Sequence, residues 1–223
     1  MICVGPMGDP DPTDWINLET NRIPFKTANM NLDWSQTFRS WPNPTPRWRN
    51  WFCRMSSLHK THWDAYDIGQ CITLSLPEMI RNEPMLVLAS YFWSDALNAF
   101  LFGHGPMTPT SLDIIMLTGL NISASDRSYN LLSKTDFKLD TKNIGGWKGY
   151  IGKYSKSGPA DLKEHPAFLN MWLEKYIFCD KTVGPTSNTL KMVKTLAADN
   201  HIPLGKHLLG SVYHLLHQVS IRL

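Results

Sequence analysis

Large apolar side chains recur at three- and four-residue spacing along much of this chain from Pro46 onward. The clearest stripe follows that proline and comprises Trp48, Trp51, Phe52, Met55, Leu58 and His62. Such spacing is typical of an amphipathic helix whose apolar face packs against a core. Several further segments show it, up to a final helix that starts near Leu204. The pattern predicts a mainly α fold, an irregular multi-helix domain with at most one small β element.

The first 45 residues show no regular spacing of apolar side chains. Six prolines fall in this stretch: Pro6, Pro10, Pro12, Pro24, Pro42 and Pro44. Because proline breaks both helices and strands, we predict an irregular N-terminal segment over residues 1–45. The helical region then spans residues 46–223.

A short aromatic segment, residues 98–102, precedes a Gly-His-Gly sequence and predicts a strand that ends in a turn. Thr108 is then predicted to be the N-cap of a helix and Pro109 its first residue. Gly119 is predicted to end this helix in the left-handed conformation. Its expected buried stripe consists of Leu112, Ile115 and Met116. Residues 121–161 are polar and rich in Ser, Lys and Gly, which predicts a long loop or hinge.

Composition excludes several classes of protein. With 43% hydrophobic and 18% charged residues, the chain is not of the disordered type. No apolar run approaches the ~20 residues that span a bilayer, and no secretory signal is present. The four cysteines lie far apart without a CxxC pair, which argues against zinc fingers and favours a reducing compartment.

Motifs of catalysis are absent from the sequence. It contains no GxSxG elbow, no P-loop and no HExxH. His214 and His217 have a spacing close to that of metal ligands, but no nearby acid completes a site. We therefore expect no enzyme activity, and neither a catalytic, a cofactor-binding nor a metal site.

Basic residues cluster in two blocks of a chain whose net charge is only +3. Residues 37–63 carry five bases and no acid, and residues 134–223 carry thirteen bases and seven acids. Arginines interleaved with tryptophans can neutralise phosphates and stack bases, so segments 39–60 and 134–163 are candidate DNA-binding segments. At helical spacing the same tryptophans also fit a core, with arginines around it. The candidate interaction residues are Arg47, Trp48, Arg49, Trp51, Arg54, Trp147, Lys148 and Lys153.

His104 is a further candidate, because it is expected just before a helix N-terminus, where free N–H groups bind anions. The alternative is that the two glycines beside it only form the turn.

The sequence from residue 98 to 120 carries a family resemblance. It reads NAFLFGHGPMTPTSLD and then IIMLTGL, and it resembles the plant mobile domain family, which includes the MAINTENANCE OF MERISTEMS-like proteins and domains of plant retroelements. Similar segments extend over residues 64–223, among them GGWKGYIGKYSKSGP and EHPAFLNMWLEKYIFC. The residues of the family motif are Trp93, Gly105, Met107, Thr108, Thr110, Leu112, Asp113 and Gly119.

The resemblance implies a non-enzymatic nuclear module in meristem maintenance, gene expression and transposon silencing. It also implies a phosphatase-like partner of the calcineurin-type serine/threonine family, and DNA binding is suspected in related members. The family's label "aminotransferase-like" would require a Schiff-base lysine, which nothing in this sequence identifies. Family members continue beyond the last helix, so the chain is expected to be the N-terminal part of a domain. A retroelement-derived copy without a cellular role is the remaining alternative.

Overall fold

The computed structural model describes residues 16–18, 41–123, 137–179, 184–198 and 200–220. Its helices from residue 41 onward are α1 (Pro46–Ala65), α2 (Gly69–Thr73), α3 (Glu83–Tyr91), α4 (Ser111–Thr118), α5 (Gly146–Tyr154), α6 (Glu164–Met171), α7 (Leu190–Ala197) and α8 (Leu204–Ser220). A π-helix over Trp172–Ile177 continues α6 directly. The strands are β1 (Trp93–Ser94), β2 (Ala99–Phe102) and β3 (Gly105–Met107). The prediction of a mainly α fold with one small β element is confirmed.

The described residues divide into two compact units. The sheet unit comprises residues 16–18, 82–109 and 211–220. The helical unit comprises residues 41–81, 110–123, 137–179, 184–198 and 200–210. Helix α8 contributes its first seven residues, 204–210, to the helical unit and the others to the sheet unit.

The core of the helical unit is built around aromatic rings on α1, α5 and α6. Trp48 lies at its centre, stacked on Phe168 with 4.6 Å between ring centroids and on Tyr176 with 4.7 Å. Trp51 meets the edge of Phe168 at 5.4 Å, and Trp63 stacks on the same ring at 5.3 Å. Of the apolar stripe predicted for α1, Trp48, Trp51 and Met55 are buried, and Phe52 and His62 are half-buried. The prediction is wrong for Leu58, which is 56% exposed.

The sheet unit contains an antiparallel three-stranded sheet in the order β1-β2-β3. Trp93 is fully buried, and it packs on Phe100 of β2 and on Tyr213 of α8. The Tyr213 hydroxyl donates to the carbonyl oxygen of Pro109 and lies 2.7 Å from the hydroxyl of Thr108. These contacts attach the last half of α8 to the sheet.

Three local predictions are wrong. The stripe expected to be buried on α4 is exposed at Leu112, Ile115 and Met116, and Ile114 is buried instead. Thr108 does not cap α4: its hydroxyl donates to the carbonyl oxygen of Asn98, and Thr110 is the N-cap instead, in a capping box with Asp113. The predicted loop over residues 121–161 contains α5, whose Tyr150 and Ile151 are buried in the core. Gly119 does end α4 as predicted, in the left-handed conformation with φ of 71°.

Other sequence expectations fall partly outside the described residues. Of residues 1–45, predicted to be irregular, the structure describes 16–18, which are helical, and 41–45, which form no regular element. Within the described ranges, no helix is long and apolar enough to cross a membrane. Over the same ranges, no group of three or more His, Cys, Asp or Glu side chains is placed to hold a metal ion.

Candidate functional site

A pocket of about 360 Å³ opens on the helical unit where three helical segments meet. The N-terminal end of α1, the first turns of α5 and the end of α6 with its π-helix form the walls. The lining residues are Thr45, Pro46, Arg47, Trp147, Lys148, Ile151, Met171 and Lys175. Arg47, Trp147 and Lys148, which the sequence placed in two distant basic segments, therefore meet at one site.

Three of the lining residues are basic, but the surface of the pocket is almost entirely apolar, so they line it with their apolar stems. Arg47 and Lys148 are exposed, whereas Lys175 is half-buried beside the ring of Tyr176, 5.3 Å from its centroid. Burial lowers the pKa of Lys175 below its ordinary value, because the apolar surroundings disfavour its charged form. The other walls are mostly apolar, with the half-buried indole of Trp147 among them.

The fold of α5 sets the positions of Trp147 and Lys148. The chain enters this helix through Gly145 and Gly146, both with positive φ, and Trp147 and Lys148 occupy the next two positions. The ring of Trp147 meets the edge of Tyr150 at 5.6 Å, and Tyr150 is buried in the core. Trp147 is thus anchored on one side and borders the pocket on the other.

The predicted aromatic binding surface at Trp48 and Trp51 is wrong. Their exposed fractions are 0% and 1%, so neither ring is accessible to a base. Their indole N–H groups are also engaged, since Trp48 donates to the Ser75 hydroxyl and Trp51 to a carboxylate oxygen of Glu164. The structure therefore confirms the alternative interpretation, in which these tryptophans belong to the core.

The guanidinium of Arg54 is already paired with a carboxylate, that of Glu164. Its Nε and Nη2 atoms donate to the two oxygens of Glu164, at 2.8 and 3.0 Å, and Nη2 also donates to the carbonyl oxygen of Gly158. Glu164 is only 2% exposed, and its hydrogen bonds raise the pKa of Arg54. This ion pair joins α1 to the start of α6.

Two more predicted cations have carboxylate partners at the surface. Arg49 lies 3.1 Å from Glu78, and Lys153 lies 2.6 Å from Asp140. The hydrogen bond from Lys153 lowers the pKa of Asp140. Arg49, Arg54 and Lys153 are not among the residues that line the pocket, and each already has a carboxylate partner.

His104 is not next to a helix N-terminus. It lies in the turn between β2 and β3, seven residues before α4 starts, where its ring stacks on Phe102 and its Nε2 lies 3.1 Å from the Met107 sulfur. It belongs to the sheet unit. The expectation of an anion site at His104 has no support from this geometry.

A family model for the plant mobile domain matches residues 67–222. The chain belongs to the plant mobile domain family. The match includes Trp147, Lys148 and Lys175 of the pocket, whereas Arg47 precedes it. No curated protein and no solved structure matches the chain.

The motif residues of the plant mobile domain have structural roles here. Trp93 fills the sheet unit's interior, Gly105 has a φ of 125° at the start of β3, and Thr110 with Asp113 caps α4. Leu112 and Met107 are exposed instead, at 65% and 52%. The motif therefore defines a turn and a capped helix, and it leaves apolar side chains at the surface.

Lys175 was missed by the sequence reasoning. It lies within a strongly apolar helical segment, WLEKYI, and no basic neighbour marks it as part of a cluster. Its position four residues after Met171, on the same helical face, is the only local signal.

Proposed function

We propose that this plant mobile domain is a non-catalytic protein-interaction module of the nucleus, acting in meristem maintenance, gene expression and transposon silencing. Its partner would be a phosphatase-like protein of the calcineurin-type serine/threonine family, as the family resemblance implies. One observation carries the docking proposal: α4 exposes most of its aliphatic side chains. A retroelement-derived copy with no cellular role is the alternative that would retain the fold without the partner.

The exposed apolar surface of α4 is formed by four neighbouring side chains. Their exposed fractions are 65% for Leu112, 38% for Ile115, 73% for Met116 and 69% for Leu117. Ile114 is the buried residue of this helix. Clustered apolar side chains at a surface are typical of protein–protein contacts, and burying one releases about 1.5–3 kcal/mol. We expected Leu112, Ile115 and Met116 to be buried within the chain; a partner is what would bury them.

The state of two thiols argues against one kind of catalysis, that of a cysteine nucleophile. Burial raises the pKa of Cys71 to about 12 and also raises the pKa of Cys179. A nucleophilic cysteine needs the opposite shift, toward a thiolate at neutral pH.

The docking proposal is tested by affinity purification of the tagged chain from plant nuclei, followed by mass spectrometry. We expect a calcineurin-type phosphatase-family protein with the wild-type chain and a loss of at least about tenfold with Met116→Gln/Leu117→Gln. Leu162→Gln is the matched control, because Leu162 is 95% exposed but lies outside α4. Recovery of no phosphatase-family protein by the wild-type chain, or equal loss with the control, contradicts the proposal.

DNA binding is a second candidate function, favoured by the meeting of Arg47 and Lys148 at one site. The described part of segment 134–163 begins at residue 137. If duplex DNA binds there, affinity falls steeply with salt and Arg47→Gln/Lys148→Gln reduces the salt slope by up to about 2. Binding that is undetectable or insensitive to salt in a filter or fluorescence assay argues against this candidate.

A further inference from the structure

The pocket on the helical unit is apolar inside and basic at its rim. Its surface is almost entirely apolar, although Arg47, Lys148 and Lys175 are among the lining residues. Long basic side chains pack their stems along apolar surfaces and keep their charged ends in water. Arg47 and Lys148 are exposed, so their charged groups lie outside the pocket, where its rim meets the solvent.

The floor of the pocket is held in place by the core. Met171 and Ile151 are only 0% and 5% exposed, and both belong to the core of the helical unit. Trp147 is half-buried, and its edge contact with the buried ring of Tyr150 fixes it from behind. Side chains that are already ordered lose little conformational entropy when a partner binds. A preformed apolar recess of this kind is typical of sites that receive an anchor side chain.

The size and chemistry of the pocket narrow the choice of anchor. A cube of 360 Å³ has an edge of about 7 Å, less than the diameter of a helix of about 10–12 Å, so a side chain fits and a helix does not. Walls with almost no polar surface leave a buried hydroxyl, indole N–H or nucleobase nitrogen without a hydrogen-bond partner, which is unfavourable. Phenylalanine has no polar side-chain atom, and its ring pairs well with the indole of Trp147.

The rim determines the charge of the partner. Arg49 and Lys153, on the same two helices, each contact a carboxylate, whereas Arg47 and Lys148 have none within ion-pair distance among the described residues. Both α1 and α5 begin at the pocket, and neither has an acidic residue in its first turn. A rim that is positive without a counter-charge favours a negative partner. Because the two cations belong to different helices, carboxylates on both sides of the anchor can each meet one of them.

We propose that this pocket is a docking site for an acidic peptide segment with one phenylalanine. The phenylalanine ring packs on Trp147 inside the pocket, and the flanking carboxylates contact Arg47 and Lys148 at the rim. None of the lining residues belongs to α4, so the proposal does not rest on docking of a phosphatase-like partner there.

The test is fluorescence anisotropy of the full chain with the fluorescein-labelled peptide EDDFDDE. Two related peptides separate the contributions: alanine replaces the anchor in EDDADDE, and amides replace the carboxylates in QNNFNNQ. We expect EDDFDDE to bind, and each of the other two to bind at least about tenfold more weakly. Equal affinity for EDDADDE overturns the proposal, because charge alone, which duplex DNA shares, then accounts for the binding. Equal affinity for QNNFNNQ overturns it as well, since the rim then has no role.

Variants of the lining residues locate the binding. Arg47→Gln/Lys148→Gln changes two exposed side chains, and it should weaken EDDFDDE by at least about tenfold and flatten the dependence of its affinity on salt. Trp147→Leu should weaken the same peptide by at least about tenfold but keep the salt dependence, with helix content checked by circular dichroism. The double variant at the rim keeps the proposal testable if Trp147→Leu loses helix.

The matched control is Lys142→Gln/Lys156→Gln. It also removes two positive charges from exposed residues, one before and one after α5, and neither residue lines the pocket. No binding of EDDFDDE by the wild-type chain, or equal weakening by this control, contradicts the proposal. Neither result bears on α4, which is tested separately by the affinity purification.

Discussion

At the scale of single residues, burial decides what each candidate side chain can do. Trp48 and Lys148 both belong to basic, aromatic segments, yet one is fully buried and the other is exposed at the pocket. The helical spacing of Trp48 and Trp51 predicts a core position, and the structure confirms it. The same spacing does not reveal that Trp51 donates to Glu164, 113 residues later, because no local pattern encodes that pair.

His165 is a residue whose protonation state follows directly from its contacts. Its Nε2 accepts a hydrogen bond from the indole N–H of Trp63 at 3.0 Å, and its ring stacks on His59 at 3.9 Å. Burial, followed by the nearby charges of His59 and His62, lowers the pKa of His165 to about 3. The neutral form, with its proton on Nδ1, is the one that fits this site.

This arrangement predicts acid sensitivity. Between the ordinary histidine pKa of about 6.5 and the folded value of about 3, the unfolded chain binds more protons at this residue than the folded chain does. The stability that depends on neutral His165 is therefore present above pH 6.5 and is lost as the pH falls. His165→Gln retains an acceptor but cannot titrate. From pH 7 to pH 5, denaturant unfolding should show a loss of stability smaller by roughly 1–2 kcal/mol in the variant than in the wild type. Equal losses in both proteins would assign the sensitivity to other groups.

At the scale of elements, α5 shows most clearly where sequence reasoning failed. Its sequence GWKGYIGKY contains three glycines, which have low helix propensity, and it follows a polar stretch. Packing of Tyr150, Ile151 and Tyr154 in the core outweighs that propensity. The ends of helix α4 are the opposite case, because its capping box and Gly119 define them locally, and the predicted N-cap lies only two residues too early. The buried face predicted for α4 was wrong, since Leu112, Ile115 and Met116 are exposed.

Two glycines of α5 can test how packing and helix propensity each affect the stability of this helix. A Cβ at Gly149 would overlap the carbonyl oxygen of Ile144, whereas a Cβ at Gly152 would meet nothing within 4 Å. We expect Gly149→Ala to lower the unfolding free energy by roughly 1–3 kcal/mol and Gly152→Ala to raise it by about 0.5–1 kcal/mol. Denaturant melts measure both changes. A stabilising Gly149→Ala would mean that the turn before α5 shifts without cost.

At the scale of the whole molecule, the candidate pocket depends on segments far apart in the chain. Arg47, Trp147 and Lys175 are separated by about a hundred and by about thirty residues, and they meet because α1, α5 and α6 pack around one aromatic core. The sequence predicts the class of fold and two of the basic segments involved. It cannot predict their meeting, since that depends on which faces of three helices pack together. The same limit applies to α4, whose apolar side chains suggested burial within the chain.

Thiol labelling follows the opening of the helical unit. Cys53 on α1 is exposed, whereas Cys71 on α2 is 3% exposed in the core, where burial raises its pKa to about 12. Because the thiolate is the reactive form, alkylation of Cys71 requires the core to open first. In native buffer at pH 8, we expect iodoacetamide to modify Cys71 more slowly than Cys53 by roughly a hundredfold or more. Denaturant should then accelerate the labelling of Cys71 in parallel with the loss of helical circular dichroism.

Peptide mass spectrometry measures the two sites separately. Cys53→Ser is the control, because it shows whether modification at Cys53 itself opens the core. If Cys71 reacts as fast as Cys53 without denaturant, α2 must separate from the core in the native state. The labelling rate would then report local opening of α2 and not unfolding of the helical unit.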